Sequence, residues 1–375
     1  MIPLSIPDLR GREAEYLATC VHDNWVSSAG PFVTSFETET ADLAGRQFAI
    51  ATVNGTAALH LALIGAGVRK GDHVVVPDWT FAATANAVFH AGATPLFVDV
   101  NSDSWTLDPD QLERAFKGSE GDKITAVIAV DTLGYTADMD KLAEICLNRR
   151  VPLVEDAAGA IGATYKGRPA GSFGTFSIFS FNGNKTVTAG GGGMVLTDDE
   201  ERASYLSHLS KQARIGEDYE HDAIGFNYRM TNVNAAIGIA QLERLVEMLA
   251  RRREIALAYD EALIDCNSMT PPPSPRWANP RGWLYSVRCA NAEVASSMVE
   301  HFRAKNIEVR KFWRSLSSQP VYSESTAFLS GVSQGLTGTV VSLPSSSSLK
   351  DEELAEVISA LRSFEDSAVI KQLRE

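Results

Sequence analysis

The sequence has few cysteines, no long run of basic residues and no long apolar run. Its four cysteines are widely separated among 375 residues and form no CxxC pair, so neither a disulfide framework nor a metal site is expected. The formal net charge of −13 at pH 7 disfavours nucleic acid and anionic membranes as partners. No apolar stretch approaches the roughly 18 residues of a membrane span, and the first residues lack the pattern of a secretory signal. We therefore expect a cytoplasmic protein.

The pattern of apolar residues predicts two kinds of domain. Short apolar strands alternate with helices of about ten residues along the first part of the chain, which indicates a mostly parallel sheet covered by helices on both faces. Beyond the proline-rich stretch 271–280 the pattern changes to α+β. We predict a large domain over residues 1–240 and a smaller C-terminal domain over 241–375. Packing of residues 1–11 against the small domain is left open. One long amphipathic helix is expected from Asn232 to Arg253.

A lysine follows the most hydrophobic of these strands. The aromatic-rich run Phe176 to Phe181 ends at an Asn-Gly-Asn turn, then comes Lys185, and four consecutive glycines follow shortly after. Burial would lower the pKa of the lysine amine, as a nucleophile that condenses with a carbonyl requires. Taken alone, the same stretch also fits an exposed lysine at a hairpin tip.

Two further strands end in polar residues, and parallel strands bring such ends to one edge of a sheet. Asp156 ends one of them and could either cap a helix or hold the protonated nitrogen of a pyridine ring. Gly55 and Thr56 precede a helix of small residues, whose N-terminus suits a phosphate. Neither a Walker loop nor a dinucleotide fingerprint accompanies them.

Five segments together carry a resemblance to a known family. They are, in chain order, NGTAALHLAL, EDAAGAIGATY, FSFNGNK, GGGGM and GFNYRMTNVNAAIGIAQL. They resemble the DegT/DnrJ/EryC1/StrS family of sugar aminotransferases, which use pyridoxal 5'-phosphate (PLP). The resemblance implies the fold type I architecture of aspartate aminotransferase and a homodimer with shared active sites. It covers nearly the whole chain.

The resemblance also implies roles for individual residues. Lys185 matches the lysine that binds the cofactor covalently, and Asp156 matches the partner of its ring nitrogen. The other matching positions are Gly55, Thr56 and Ser180 at the phosphate, Phe81 stacked on the ring, and Asn227, which reaches the phosphate of the neighbouring subunit. Family members that dehydrate sugars carry histidine in place of this lysine. The chain departs from the family at Gly159, where glutamine or glutamate is usual.

The substrate is less constrained by the sequence. Three segments resemble most the enzymes that aminate a UDP-linked 4-keto-6-deoxy-N-acetylhexosamine with L-glutamate as donor. They are residues 211–214, 218–221 and 306–313. Candidate substrate contacts are Arg214, Tyr219, His221, Arg229 and Arg310; the arginines suit a diphosphate or a carboxylate. Tyr219 and His221 fit a solvated loop equally well. GDP- or dTDP-linked keto sugars, including a perosamine-type one, are the alternative substrates. A non-catalytic ligand-sensing module is the alternative from another class.

Overall fold

The computed structural model describes residues 1–279 and 283–367. Pro280, at the end of the proline-rich stretch, and residues 368–375 of the predicted small domain lie outside them. The α-helices of the described residues are α1 (Glu13–His22), α2 (Pro31–Ala44), α3 (Gly55–Gly65), α4 (Ala82–His90), α5 (Pro109–Lys117), α6 (Met139–Arg149), α7 (Glu200–Ser210), α8 (Asn232–Leu242), α9 (Leu245–Ala262), α10 (Ala292–Ala304), α11 (Val332–Leu336) and α12 (Asp351–Glu365).

Strands are distributed along the whole described chain, and most of the longer ones precede residue 200. They are β1 (Phe48–Thr52), β2 (His73–Pro77), β3 (Thr94–Val98), β4 (Ile124–Val130), β5 (Leu153–Asp156), β6 (Thr164–Tyr165), β7 (Arg168–Pro169), β8 (Phe176–Ser180), β9 (Gly193–Thr197), β10 (Arg214–Ile215), β11 (Glu220–His221), β12 (Met269–Thr270), β13 (Ala278–Asn279), β14 (Ser286–Cys289), β15 (Arg310–Lys311), β16 (Ala327–Phe328) and β17 (Val340–Ser342).

Eight strands form the main sheet, in the order β1-β9-β8-β5-β4-β2-β3-β16. The neighbours from β8 to β16 are parallel, whereas β9 runs antiparallel to both β1 and β8. Val74 and Val76 of β2 enter the core on one face of the sheet, and Val75 enters the core on the other. Strands buried on both faces need helices on both sides. The predicted α/β fold of type I, with a mostly parallel central sheet, is therefore confirmed.

A second sheet lies in the C-terminal part of the chain and is antiparallel, in the order β12-β14-β17-β15. Its core is shared with residues of α9, α10 and α12. Ile2 is buried in this same core and forms a parallel bridge with Ile307, while the backbone N–H of Leu4 donates to Glu308 at 3.1 Å. The N-terminal segment thus contacts the second sheet. The division at residues 240 and 241 stays a prediction.

The helix expected from Asn232 to Arg253 is two helices, α8 and α9. They are separated at Arg244, whose φ of −109° departs from the helical value. Its guanidinium binds Asp8 at 3.2 Å and Glu247 at 2.8 Å. No glycine or proline marks this break. It coincides with the contact between Arg244 and the N-terminal segment, and tertiary contacts of this kind can override helix propensity. No helix within the described residues is long and apolar enough to cross a membrane.

Candidate active site

A cavity of about 330 Å³ opens where the parallel strands of the main sheet end. It is lined by residues that follow β1, β4, β5 and β8 in the chain, together with side chains from the C-terminal part. Ligands bind at this edge of open α/β sheets, outside the carboxyl ends of the strands. The cavity brings together six residues chosen from the sequence: Gly55, Thr56, Phe81, Asp156, Ser180 and Lys185.

Lys185 lies in the turn after β8, where its backbone N–H donates to the carbonyl of Asn182 at 3.0 Å. Its side chain reaches inward, and its Nζ lies 3.4 Å from the centroid of the Trp283 ring. Burial of the amine lowers the pKa of Lys185 to about 8, although the negative charge of Asp156 opposes the shift. At pH 7 about a tenth of such an amine is uncharged and nucleophilic, far more than of an ordinary lysine. This placement disfavours the alternative of an exposed hairpin tip.

Asp156 is buried at the end of β5, with only 5% of its surface exposed. Its Oδ2 accepts a hydrogen bond from Thr84 Oγ1 at 2.9 Å, and its Oδ1 accepts one from the backbone N–H of Ala158 at 3.2 Å. Burial raises the pKa of Asp156, while these two donors and Lys185 favour the charged form. A fixed carboxylate in such surroundings binds a protonated ring nitrogen strongly.

Gly55 and Thr56 begin α3, and the first N–H groups of a helix have no carbonyl partner within it. The side chain of Asn54 accepts from the N–H of Ala57 at 2.8 Å and so fixes the start of the helix. Ser180 lies directly opposite: a Cβ at position 55 would stand 3.1 Å from its Oγ and 2.8 Å from its Cβ. The close approach of these two segments leaves a cradle with backbone N–H groups and a hydroxyl, which fits a phosphate.

Phe81 immediately precedes α4 and lines the cavity, and 60% of its surface is exposed. An aromatic ring this exposed at the edge of a cavity is available to cover a planar ligand. The structure is thus compatible with the stacking role that the sequence predicts for Phe81, and that role stays a prediction.

The remaining predicted residues do not line this cavity. Asn227 is exposed, and Arg229 lies beside Thr52 of β1. Arg214 and His221 face each other in the β10–β11 hairpin, where the Arg214 guanidinium lies 4.9 Å from the Tyr219 ring centroid. Arg310 is exposed and pairs with Glu308 at 2.7 Å. Roles for these residues at an active site therefore require a second chain or a movement, and they stay predictions.

Asp131, which sequence analysis missed, lines the cavity beside Glu155. Glu155 accepts from the backbone N–H groups of Gly171 at 2.8 Å and Phe173 at 2.9 Å. Asp131 Oδ2 has no donor among the described residues. Burial raises the pKa of Glu155 to about 7, and burial together with Glu155 raises the pKa of Asp131. We expect the two groups to share a proton near neutral pH, because two buried carboxylates side by side are disfavoured when both are charged.

This pair predicts an unusual pH dependence of stability. Both carboxyl groups bind protons more tightly in the folded than in the unfolded protein, so stability falls as the pH rises from about 4.5 to about 7 and beyond. Asp131→Asn removes one acid but keeps a donor for Glu155. We expect its melting temperature at pH 8 to exceed that of the wild type by about 2 °C and to vary less with pH. Asp265→Asn, at an exposed site, is the control. Equal pH dependence in wild type and Asp131→Asn would contradict the shared proton.

Comparisons with known proteins find the same family that the sequence motifs resemble. The sequence pattern of the DegT/DnrJ/EryC1/StrS aminotransferase family matches residues 7–362. EpsN of Bacillus subtilis (strain 168), whose name describes it as a pyridoxal phosphate-dependent aminotransferase, is 37% identical over 96% of this chain and 95% of its own length. The GDP-perosamine synthase of Escherichia coli O157:H7 is 35% identical over 97% of this chain and 98% of its own. The solved structure of the aminotransferase TlmJ from Streptoalloteichus hindustanus superimposes with a TM-score of 0.92, at 28% identity and full coverage of both chains.

Proposed function

Because this chain belongs to the DegT/DnrJ/EryC1/StrS aminotransferase family of PLP-dependent sugar aminotransferases, we propose that it moves the amino group of L-glutamate to C4 of a nucleotide-linked 4-keto-6-deoxy sugar. One observation carries the proposal: the Lys185 amine and the Asp156 carboxylate line one cavity, which also contains the cradle between Gly55 and Ser180. A transaminase needs an amine, a carboxylate and a phosphate site in one cavity, and this set of groups supplies all three.

The residues present fit the cofactor. When bound, PLP supplies an electron sink that acidifies the C–H bond next to the amine being transferred. Lys185 would hold it covalently and, once released, would move a proton at Nζ between the two reacting carbons. Asp156, oriented by Thr84, would keep the ring nitrogen protonated, and Ser180 with the start of α3 would bind the phosphate.

For the nucleotide we place GDP first, because a GDP-perosamine synthase is 35% identical over nearly the full length of both chains. The UDP-linked 4-keto-6-deoxy-N-acetylhexosamine predicted from residues 211–214, 218–221 and 306–313 is the second candidate. A simple 4-keto-6-deoxyhexose, as expected for the GDP-linked substrate, has a hydroxyl at C2. The UDP-linked N-acetylhexosamine has an acetamido group there. A pocket that hydrogen-bonds one group discriminates strongly against a substrate that leaves its donors unpaired.

The test is a direct assay with L-glutamate and three 4-keto-6-deoxy sugars, linked to GDP, UDP or dTDP. The product is identified by mass spectrometry and NMR, which also give the configuration at C4. Amination of the GDP sugar at the highest kcat/KM supports the proposal, and preference for the UDP sugar reverses our order. Binding of a nucleotide sugar without any amination would instead favour a ligand-sensing module.

We also propose that two copies of the chain share their active sites. Asn227 is exposed outside the cavity of its own chain, although the resemblance assigns it to a cofactor phosphate. Large apolar side chains at and beside the cavity are exposed as well, including Phe81 at 60% and Val53 at 38%. Exposed apolar groups at the edge of a site are typical of a surface that a partner covers.

Mixed dimers test this sharing. Lys185→Ala and Asn227→Asp chains are expected to be impaired when each is refolded alone, the second because its carboxylate would face the phosphate. After co-refolding, one site of each heterodimer combines Lys185 of one chain with Asn227 of the other, and the opposite site carries both defects. Random pairing gives about half heterodimers, so activity should return to about a quarter of the wild-type value. Heterodimers that form but show no activity would refute shared sites.

A further inference from the structure

Trp283 closes one side of the Lys185 amine. It is 9% exposed, and its ring centroid lies 3.4 Å from Lys185 Nζ. The π face of an indole attracts an ammonium group and at the same time keeps water from it. The protonation and the direction of the amine therefore both depend on where this ring is held.

The backbone and the indole of Trp283 are both fixed by hydrogen bonds. The buried guanidinium of Arg252 donates from Nη1 to the Trp283 carbonyl at 2.7 Å. The indole Nε1 donates to the carbonyl of Asn184 at 2.8 Å, and Ser5 Oγ donates to that same carbonyl at 3.0 Å. Because Asn184 immediately precedes Lys185, the indole fixes the backbone from which Lys185 extends as well as the space around its amine.

Gly159 provides the room for this ring. A Cβ at position 159 would stand 2.6 Å from Cε3 and 3.2 Å from Cζ3 of the Trp283 indole. The backbone at Gly159 is outside the left-handed region, so an alanine there meets no conformational penalty. The indole alone makes glycine necessary at this position.

From these contacts we infer that Trp283 is a positioning residue for Lys185, and that glycine at position 159 is what admits its indole to the site. The inference rests on the role proposed for Lys185, but it does not depend on which sugar is the substrate. Trp283 acts by excluding water from the amine and by holding the carbonyl of Asn184. It takes no part in bond making or breaking.

The first test measures the amine itself. Competitive acetylation of the full chain without cofactor, followed by mass spectrometry across a pH series, gives the pKa of Lys185. In the wild type we expect about 8, with burial as the cause and Asp156 as the charged group that opposes it. Trp283→Ala removes the attraction of the π face but admits water to the amine, and because burial is the main cause of the lowered pKa, the net effect should be to raise it towards its ordinary value. Trp283→Phe retains a ring and should raise it less. An unchanged or lowered pKa in Trp283→Ala would overturn the inference even if activity were lost.

The second test is a double-mutant cycle on melting temperature, measured with and without added PLP. Gly159→Ala should lower the melting temperature by about 3 °C in the wild-type background, because its Cβ meets the indole. The same change should have almost no effect in Trp283→Ala, where that space is vacant. Gly183→Ala is the matched control, because a Cβ there meets nothing within 4 Å and its φ is ordinary. Equal effects of Gly159→Ala in both backgrounds would overturn the pairing of the two positions.

Discussion

Replacing Lys185 by alanine is expected to lower the rate of amination by about 10⁴-fold or more, since one group both holds the cofactor and moves the proton. The Nζ of Lys185 lies inside the cavity near Asp156, and the described residues lining that cavity include no second lysine. No neighbouring amine can therefore take its place. The largest single loss in the site should follow from this one change.

Borohydride reduction provides a measurement that does not depend on turnover. In the wild type it should fix the cofactor permanently to a peptide that contains Lys185, and in Lys185→Ala the labelled peptide should be absent. Lys117→Ala is the control, because Lys117 is exposed on α5 and pairs with Glu113 at 2.8 Å. Normal labelling of Lys185→Ala would show that another residue binds the cofactor and would remove the basis of the proposed function.

Asp156→Asn is expected to leave the cofactor bound while turnover falls by about 10²-fold or more, as is typical when a charge-stabilising partner is lost. The asparagine has the same shape, its oxygen can still accept from the N–H of Ala158, and its NH2 can donate to Thr84 Oγ1, because a hydroxyl also accepts, so the site should remain folded. It carries no negative charge, so a ring nitrogen beside it would lose its proton more readily.

A variant that still binds PLP but turns over slowly would identify Asp156 as the partner of the ring nitrogen. PLP affinity, followed by absorbance, should change little while kcat falls. Asp140→Asn, at an exposed site bound to Lys166, controls for a general effect of removing a carboxylate. Turnover near the wild-type value would mean that Asp156 only fixes the backbone of Ala158.

The sequence predicts which residues meet in the cavity, and the reason is geometric. Asp156 ends β5 and Lys185 follows β8, and these two strands are parallel neighbours. Gly55 follows β1, which is separated from β8 by the antiparallel β9 and therefore runs in the same direction as β8, so the three carboxyl ends lie at one edge of the sheet. The apolar composition of those strands is visible without any structure. The sequence could also have indicated Thr84, since it lies in the first turn of the helix after Phe81.

Residues that contact the site from a distant part of the sequence give no comparable signal. Trp283 follows the proline-rich stretch and meets Lys185 only through tertiary packing, so neither spacing nor periodicity relates the two. The break between α8 and α9 is equally hidden, since it coincides with the contact between Arg244 and Asp8. Asp131 follows β4 in the chain, and its importance depends on burial beside Glu155, which the sequence pattern does not show.

The position of β16 at the edge of the main sheet has a consequence for synthesis on the ribosome. Ala327 and Phe328 pair with Phe97 and Val98 of β3, although β3 is made far earlier. Until β16 emerges, β3 presents an apolar edge with unpaired N–H and C=O groups, which other chains can join. Contacts between distant parts of a chain also form slowly. Between the translation of β3 and that of β16, the nascent polypeptide therefore carries an open strand edge, and we expect a chaperone that covers this edge to limit aggregation.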